Sequence, residues 1–487
     1  MNNDSLTSLR TRTTKNIFFA FFLRVFIRLV SFVAAILLLR ILDPSDFGIV
    51  AMAQVLITMF QFFETFGINS AIIQRENVNA KVYSTGLTIK FIISFLLLAC
   101  AFMIAPFWGK FYGQKSVTTI VRVLTLTLII SSFTFVPDTY LRKNLNFKKG
   151  IVPDMVRIVS YSVAAVVLAL LGLRFWSLIY ATLFGEILRA ISFNIIQPFK
   201  LKFTFDKTIA RELFGYGKWM VIGSLIYWAY SYLDNAVVGK VLGATILGFY
   251  MVAYRWGNWI VDNIVMVLSP VLFPTFSRIQ NNVSGLRKSY LEVLKYISLV
   301  IFPMTFGLIF LANEFVLNVM GKKWAPVIVP LQILAFGGLC RALQSVGGSI
   351  FLAVGKPKVS TYFMGINLTI ILLLIYPFLL WKGIVGVSLA VTLAFIITFF
   401  IAVKLTSTLL EMSWFSMVQV WRNPFLAGLA MGAVLLISKN YFPSSFASFL
   451  ILVGLGGSVY VALIYALTRG RIYREVSVIV KEVIHRR

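Results

Sequence analysis

Histidine, cysteine and acidic residues are scarce in this chain of 487 residues. The one histidine, His485, lies near the C-terminus, and the two cysteines, Cys100 and Cys340, lie inside apolar runs. Imidazole and thiolate metal sites therefore lack their ligands, and a disulfide framework is not indicated. No phosphate-binding loop, zinc-protease motif or serine-hydrolase motif is present. The sequence thus predicts no metal, no cofactor and no enzymatic activity.

Hydrophobic residues, by contrast, dominate the composition. They make up 59% of the chain, mean hydropathy is +0.90 and only 13% of residues are charged, which is typical of an integral membrane protein. The balance of 45 Lys and Arg against 17 Asp and Glu would suggest nucleic acid binding in a soluble protein. In a membrane protein it predicts basic loops that fix topology, so no nucleic acid partner is expected.

Apolar stretches separated by polar, glycine or proline residues predict an all-α polytopic membrane protein with fourteen transmembrane helices. With the N-terminus in the cytoplasm, 27 of the 45 basic residues fall on the cytoplasmic side and 9 on the other. This split favours an even number of helices with both termini cytoplasmic. The predicted spans are residues 17–39, 48–68, 83–107, 118–137, 155–172, 176–197, 217–238, 246–268, 289–312, 326–345, 358–381, 384–403, 424–440 and 446–468.

An internal repeat appears at an offset of 200 residues. Residues 38–53 are similar to 238–253, with Gly48 opposite Gly248 and Arg40 opposite Lys240. Because each half holds six helices, an even number, the repeats are parallel. The predicted parts are an N-lobe (1–197), a cytoplasmic linker (198–216), a C-lobe (217–405), two further helices (406–468) and a basic tail (469–487).

Two segments have helical amphipathic patterns outside the predicted spans. Residues 206–214 of the linker and the tail from Arg471 each place apolar residues on one face, which predicts helices along the inner leaflet. The alternative for the tail is a disordered basic segment. Within the appended helices, Gly428 and Gly432 form a small-residue face that predicts helix packing.

Charged residues inside the predicted spans are the main candidates for function, because an ion near the bilayer centre is costly. Arg24 and Arg28 share one face of the first helix, and Arg255 lies deep in the eighth. We expect these arginines to bind an anion such as phosphate in a water-filled cavity. Glu186 and Arg189 are spaced as a helical ion pair, for which a structural role is equally plausible. Lys90, Arg122, Arg157, Lys295 and Arg341 are expected to extend to the headgroups.

Polar and aromatic side chains on predicted helices 2, 7 and 8 are candidates to line the same cavity, although tyrosine and tryptophan also form interfacial belts. Asp234 and Asp262 are candidates to couple transport to a proton or Na⁺, and pairing with the arginines is an equally plausible use. The candidate lining residues are Gln54, Gln61, Glu64, Tyr227, Tyr230 and Trp259.

Three segments carry a family resemblance: RILDPSDFGIVAMA (Arg40–Ala53), FGINSAIIQRENV (Phe66–Val78) and FVPDTYLRKNLNFKKGIVPDMV (Phe135–Val156). With two sets of six helices followed by two more, they resemble the polysaccharide exporters of the multidrug/oligosaccharidyl-lipid/polysaccharide (MOP) flippase superfamily. The likeness is greatest to the colanic acid and teichuronic acid exporter branch, which is related to the O-antigen flippases. It extends over nearly the whole chain.

The resemblance implies a V-shaped pair of lobes around a cavity lined by helices 1, 2, 7 and 8. It implies a bacterial inner-membrane flippase that moves an undecaprenyl-diphosphate-linked oligosaccharide to the periplasmic leaflet by alternating access. A polysaccharide polymerase and glycosyltransferases are the partners that such a pathway implies. Under this hypothesis Arg24, Arg28 and Arg255 neutralise the diphosphate while the lipid tail stays in the bilayer.

Three other classes of function compete with this hypothesis. A cation-coupled drug antiporter of the same superfamily would favour acidic cavity residues, whereas the deep spans here carry more basic ones. A membrane glycosyltransferase or ligase usually needs a large loop or catalytic domain, which the short loops do not provide. A structural scaffold without transport activity is the third alternative.

Overall fold

The computed structural model describes residues 27–65, 67–144, 146–200, 202–259, 261–475 and 477, and these residues form helices and connecting turns without a β-strand. In chain order the α-helices are α1 (27–41), α2 (Pro44–Thr65), α3 (Ile68–Gln74), α4 (Ala80–Tyr112), α5 (Lys115–Ser132), α6 (Phe135–Lys143), α7 (Phe147–Leu170), α8 (Trp176–Ile196), α9 (Lys207–Gly257), α10 (Met266–Arg278), α11 (Val283–Phe310), α12 (Ala312–Phe315), α13 (Ile328–Ala353), α14 (Lys358–Leu409), α15 (Trp414–Ser438) and α16 (Phe446–Leu467). Val261–Val265 and Val316–Met320 are π-helical, and Lys322–Val327 and Lys439–Tyr441 are 3₁₀-helical.

Eleven helical segments in the described part of the chain are long and apolar enough to cross a membrane. This confirms the prediction of an all-α polytopic membrane protein. The predicted number of fourteen spans differs from eleven partly because α9 and α14 each combine two predicted spans. In addition, only the last part of the first predicted span lies within the described residues.

The two longest helices, α9 and α14, each contain a chain reversal. Gly243 in α9 has φ 81°, and Gly383 in α14 has φ 54°, a region of backbone conformation that glycine adopts readily. A Cβ atom at Gly386 would lie 1.7 Å from the carbonyl oxygen of Phe378, although these residues would be about 12 Å apart along an unbroken helix. Each of these helices therefore consists of two stretches joined at a tight turn.

The chain divides into two compact units, Met1–Gly248 and Phe249–Arg487. In the first unit, one buried apolar cluster joins α3 and α4 to the start of α9, and another joins α1 to α7 and α8. In the second unit, a larger cluster is formed by α10, α11, α13, α15 and α16. This division into two units does not test the lobe boundaries predicted from the sequence, which stay predictions.

Asp206 caps the start of α9, and two ion pairs hold this region to the rest of the first unit. Asp206 accepts hydrogen bonds from the backbone N–H groups of Thr208 (2.9 Å) and Ile209 (3.1 Å), and it pairs with Lys81 at 2.6 Å. The Lys81 ammonium and these backbone donors lower the pKa of the Asp206 carboxyl. Glu212, one turn further on, pairs with Arg75 at 2.7 Å.

The apolar face of residues 206–214 packs on protein. Ile209 and Leu213 are buried in the cluster with α3 and α4, and α9 continues beyond this segment without a break until Gly243. This contact differs from the predicted placement along the inner leaflet, because the pattern specifies an apolar face but does not specify what covers it.

Two glycines of the internal repeat allow a close crossing of helices. A Cβ atom at Gly48 in α2 would lie 1.7 Å from the carbonyl oxygen of Ala244, and one at Gly248 would lie 1.9 Å from the carbonyl oxygen of Pro44. Only glycine allows this backbone approach. The crossing joins the beginning of α2 to the part of α9 that follows Gly243.

The packing prediction for α15 is confirmed. A Cβ atom at Gly428 would lie 2.4 Å from the ring of Phe306, and one at Gly432 would lie 2.0 Å from the ring of Phe310. Both phenylalanines belong to α11, one helical turn apart. The small-residue face of α15 therefore receives two aromatic rings of α11.

Candidate functional site

The first unit contains a polar cavity of about 250 Å³ between α2, α4, α5, α6 and α8. Charged groups enter it from four of these helices: Glu64 from α2, Lys90 from α4, Asp138 from α6, and Glu186 with Arg189 from α8. Polar side chains complete the wall. They are Gln61, Asn69, Thr127, Ser131 and Thr134.

At one side of this cavity, Lys90 and Glu64 form a buried ion pair. Their side chains are 7% and 5% exposed, and Lys90 Nζ lies 2.7 Å from Glu64 Oε1. Ser131 donates a hydrogen bond to the same oxygen, as does Ser94 at 3.2 Å. Because an isolated buried charge is costly, each member of the pair depends on the other and on these hydroxyl groups.

A second ionic cluster connects α8 to α7. Arg189 Nε donates to Asp154 Oδ1 at 2.8 Å, and its NH1 lies 3.6 Å from Glu186 Oε2. Arg157 lies 3.6 Å from the other oxygen of Glu186. The sequence spacing therefore identified the pair of Glu186 and Arg189, but the shorter contact of Arg189 is to Asp154 on the neighbouring helix.

Cations and carboxylates balance in this part of the first unit. Each of the four basic side chains Lys90, Arg142, Arg157 and Arg189 contacts a carboxylate of the set Glu64, Asp138, Asp154 and Glu186. An anionic substrate would have to displace one of these carboxylates before binding here. The arrangement is suited to exchanging ion-pair partners inside the unit.

The structure places the candidate residues of the first unit in several environments. Gln61 and Glu64 line the cavity, and Gln54 is half-buried two turns before Gln61. Arg28 is exposed on α1, and Arg24 lies outside the described residues. Their assigned roles in substrate binding stay predictions.

Candidate residues of α9 contact α2. Tyr227 packs edge-on against Phe62, with ring centroids 5.7 Å apart, and lies 6.3 Å from the Tyr230 ring. The neighbouring Trp228 donates a hydrogen bond to the carbonyl of Val55 at 2.9 Å. Asp234 is buried and accepts a hydrogen bond from the backbone N–H of Asn235 at 2.7 Å. The contacts of Tyr227 and Trp228 join the first part of α9 to α2.

In the second unit, the end of α9 brings Arg255 next to a tightly packed helix contact. A Cβ atom at Gly338 of α13 would lie 2.5 Å from the carbonyl oxygen of Gly257. Asn258 is buried beside this contact and accepts a hydrogen bond from Arg341 at 3.3 Å. Arg255 is exposed, and no carboxylate among the described side chains forms an ion pair with it.

The chain leaves this contact through the π-helical segment Val261–Val265, a distortion that is frequent at functional sites. Trp259 is half-buried against the apolar core, and its carbonyl accepts a hydrogen bond from Asn263 at 2.9 Å. The side chain of Asp262 is not among those described, so its coupling role stays a prediction.

The expectation that Lys90 and Arg341 extend to the headgroups is wrong. Lys90 is buried against Glu64, and Arg341 binds Asn258 and lies over the Phe395 ring with its Cζ 5.7 Å from the centroid. Glu64 is on another helix and Asn258 follows the end of α9, so both partners are distant in sequence and spacing gave no indication of either contact. For Lys90, the presence of the acidic Glu64 inside another predicted span was a signal that a buried pair was possible.

Two curated relatives cover most of the chain. The lipopolysaccharide biosynthesis protein WzxC of Escherichia coli (strain K12) is 24% identical over 419 residues, which cover 85% of this chain and 82% of that protein. The teichuronic acid biosynthesis protein TuaB of Bacillus subtilis (strain 168) is 24% identical over 375 residues, which cover 76% of this chain and 77% of that protein.

Solved structures share the fold. The lipid II flippase MurJ in an inward closed conformation superposes with a TM-score of 0.77 at 16% identity, covering 94% of this chain and 100% of that chain. An inward-facing multidrug resistance MATE family transporter of the MOP superfamily gives a TM-score of 0.63 at 16% identity, covering 79% of this chain and 96% of that chain. The chain therefore has the fold of MOP superfamily transporters.

A family match extends over more than half of the chain. Residues 37–329 match the family model described as "Polysaccharide biosynthesis protein". The matched region begins in α1 and ends in α13, and it includes both the cavity of the first unit and the segment around Arg255. This chain belongs to the polysaccharide biosynthesis protein family.

Proposed function

We propose that this protein is a flippase that moves a lipid-linked oligosaccharide across a membrane during polysaccharide biosynthesis. The observation that carries the proposal is the family match over residues 37–329 in a chain with the MurJ fold. The names of the relatives WzxC and TuaB refer to biosynthesis of lipopolysaccharide and teichuronic acid. A membrane protein of such a pathway with a transporter fold is best explained by movement of the polymer precursor.

The specific substrate we propose is an undecaprenyl-diphosphate-linked repeat unit, moved from the cytoplasmic to the periplasmic leaflet by alternating access. Fourteen spans in two lobes of six with two appended helices are part of this proposal. The reversals in α9 and α14 and the helix α1 support that number, because they add to the eleven apolar segments.

The diphosphate requires positive charge along its path, since an uncompensated anion in hydrocarbon is prohibitively costly. Arg255 supports this role because it is exposed and lies about twelve residues, or roughly 18 Å, beyond the turn at Gly243. We propose Arg28 and Arg24 as further cations of the path. The paired cluster around Lys90 is a less suitable site, because carboxylates already neutralise its basic groups.

Coupling of this transport to a proton or to Na⁺ is part of the proposal. Asp234 and Asp262 are the candidate carriers. Burial of Asp234 supports its candidacy, because a buried carboxylate is sensitive to charge and protonation.

We propose the bacterial inner membrane as the location, with both termini in the cytoplasm. The excess of basic residues in alternate loops supports this topology. The partners would be a polysaccharide polymerase and the glycosyltransferases that assemble the repeat unit. No catalytic step is assigned to this chain, since transport requires none.

A drug antiporter is the second candidate, since a MATE family multidrug transporter shares the fold. The fold alone does not discriminate between the two functions. The family match over more than half of the chain favours the flippase.

The decisive experiment depletes the protein and measures lipid-linked oligosaccharide in the cytoplasmic leaflet. We expect the intermediate to accumulate and to be cleared by the wild-type protein but not by an Arg28→Ala, Arg255→Ala variant. Arg122→Ala is the control, because it removes an arginine that is not proposed for the transport path. The guanidinium of Arg122 contacts Phe102 on a neighbouring helix. An unchanged lipid-linked pool after depletion would contradict the proposal and favour the antiporter.

A further inference from the structure

A second cavity, of about 830 Å³, lies in the second unit between α11, α15 and the end of α16. The chain after α16 forms part of its wall. Arg469 and Gly470 have φ angles of 50° and 69°, and the N–H of Gly470 donates to the carbonyl of Tyr465 at 2.9 Å. This turn ends α16. It directs the helical residues 471–475 over the cavity, where Arg471 and Arg474 line it.

The lining of this cavity combines cationic and apolar side chains. Arg469, Arg471 and Arg474 are exposed lining residues, and within the described part of the chain no carboxylate forms an ion pair with them. Lys295 also lines the cavity but is neutralised by Glu475. The apolar lining comes from Leu291, Leu299, Val420, Leu467 and Ile472.

Helix ends place the cavity at the depth of the lipid headgroups. α16 is an apolar helix long enough to span the membrane, and the cavity lies where it ends. α15 begins beside the cavity with Trp414 and Phe415, which are 61% and 53% exposed. Exposed aromatic residues at a helix end are typical of the membrane interface. The cavity therefore faces both headgroups and the upper part of the acyl chains.

We propose that this cavity binds an anionic phospholipid of the surrounding leaflet. The guanidinium groups of Arg469, Arg471 and Arg474, which form no ion pair with a carboxylate of the described residues, suit a lipid phosphate, which arginine binds through two oxygens at once. The apolar wall suits the first methylene groups of the acyl chains. A volume of about 830 Å³ is far larger than a free phosphate needs, and basic pockets between membrane helices are known to hold acidic headgroups. None of the arginines proposed for the transport path lines this cavity, so the proposal does not depend on that path.

The test measures binding to the full-length protein purified in detergent, without a transport assay. Phosphatidylglycerol, phosphatidylcholine, inorganic phosphate and undecaprenyl phosphate are added separately, and bound lipid is counted by native mass spectrometry alongside the thermal unfolding midpoint. We expect phosphatidylglycerol to bind and to raise the midpoint more than phosphatidylcholine does. Inorganic phosphate should have little effect, because it cannot occupy the apolar wall.

The charge variant is Arg469→Gln, Arg471→Gln, Arg474→Gln. Since each basic residue near a membrane surface contributes roughly fivefold in binding, we expect phosphatidylglycerol to bind on the order of a hundredfold more weakly. The matched control is Lys356→Gln, Lys358→Gln, Lys404→Gln, which removes three exposed charges of the same unit away from the cavity. The control should bind like the wild type.

A second variant, Ser416→Phe, keeps all the charges and fills part of the cavity from α15. It should also reduce phosphatidylglycerol binding. This variant tests the proposal if the charge variant does not fold. Equal binding of phosphatidylglycerol and phosphatidylcholine would overturn the proposal, as would equal losses in the charge variant and its control. A full effect from inorganic phosphate would reassign the cavity to a free anion, and tighter binding of undecaprenyl phosphate would reassign it to the carrier lipid.

Discussion

Gly48 and Gly248 take reciprocal positions in one helix crossing. Gly48 lies against the carbonyl of Ala244, and Gly248 lies against the carbonyl of Pro44. Because 44 and 244 are also separated by 200 residues, the two contacts are exchanged by the offset of the sequence repeat. Such exchange of partners is the mark of a two-fold contact between equivalent surfaces.

This crossing predicts a specific sensitivity to added volume. Gly48→Ala or Gly248→Ala should lower the free energy of unfolding by about 1–3 kcal/mol, because a methyl group would overlap a carbonyl oxygen. Thermal unfolding in detergent measures the effect. Gly454→Ala is the control, since no atom lies within 4 Å of a Cβ at that position. Equal stability of Gly48→Ala and the control would contradict the proposed close contact.

The buried pair of Lys90 and Glu64 predicts strong coupling between two substitutions. Lys90→Met should destabilise the protein by about 3–5 kcal/mol, because Glu64 would be left charged and buried. The double variant Lys90→Met, Glu64→Leu should recover most of that loss. Chemical or thermal unfolding of the single and double variants gives the coupling energy.

An exposed ion pair provides the control for this cycle. The side chains of Arg75 and Glu212 are 33% and 56% exposed, so Arg75→Met should cost no more than about 1 kcal/mol. Additive effects of the Lys90 and Glu64 substitutions would show that the two side chains do not depend on each other.

The proposed role of Arg255 predicts that transport falls by different amounts in two substitutions of this residue. If Arg255 binds the substrate phosphate as proposed, Arg255→Gln removes a charge-assisted contact and should reduce polymer export on the order of tenfold or more. Arg255→Lys should retain an intermediate rate, because it keeps the charge but loses the planar fork. Surface polymer is quantified at matched protein levels in the membrane. Wild-type export by Arg255→Gln would remove Arg255 from the proposed path.

The contacts of Asp206 predict that the segment before α9 is protected from proteolysis. Asp206→Ala removes both the N-cap and the pair with Lys81, whereas Asp206→Asn can still cap the helix. Cleavage of residues 198–206 by papain should therefore be fastest in Asp206→Ala and intermediate in Asp206→Asn.

The pH dependence of this protection follows from the lowered pKa of Asp206. A depressed pKa in the folded state gives a contribution that is present above the ordinary aspartate pKa of about 3.9 and is lost as pH falls through the lower folded value. Protection of the wild type should thus be the same at pH 8 and pH 5. A loss of protection already at pH 5 would contradict this interpretation.

The sequence predicted the local features of the fold well, because hydropathy and glycine act over short distances. The apolar run at 446–468 became α16 (Phe446–Leu467), and Gly428 and Gly432 became a packing face. The pairing of Lys90 with Glu64 and of Arg341 with Asn258 could not be predicted, since each joins segments that are distant in sequence. Sequence alone indicated that these side chains lie in spans, and only packing determined whether they face lipid or protein.

The rings of Phe306 and Phe310 occupy notches at Gly428 and Gly432, and this has a mechanical consequence. Two such contacts one turn apart block both sliding and rotation of α15 along α11, because either motion would force both rings out of their notches together. We therefore expect α11 and α15 to move together as one rigid body. A spectroscopic label on α15 would consequently report the motion of α11 during transport, without any probe being placed on α11 itself.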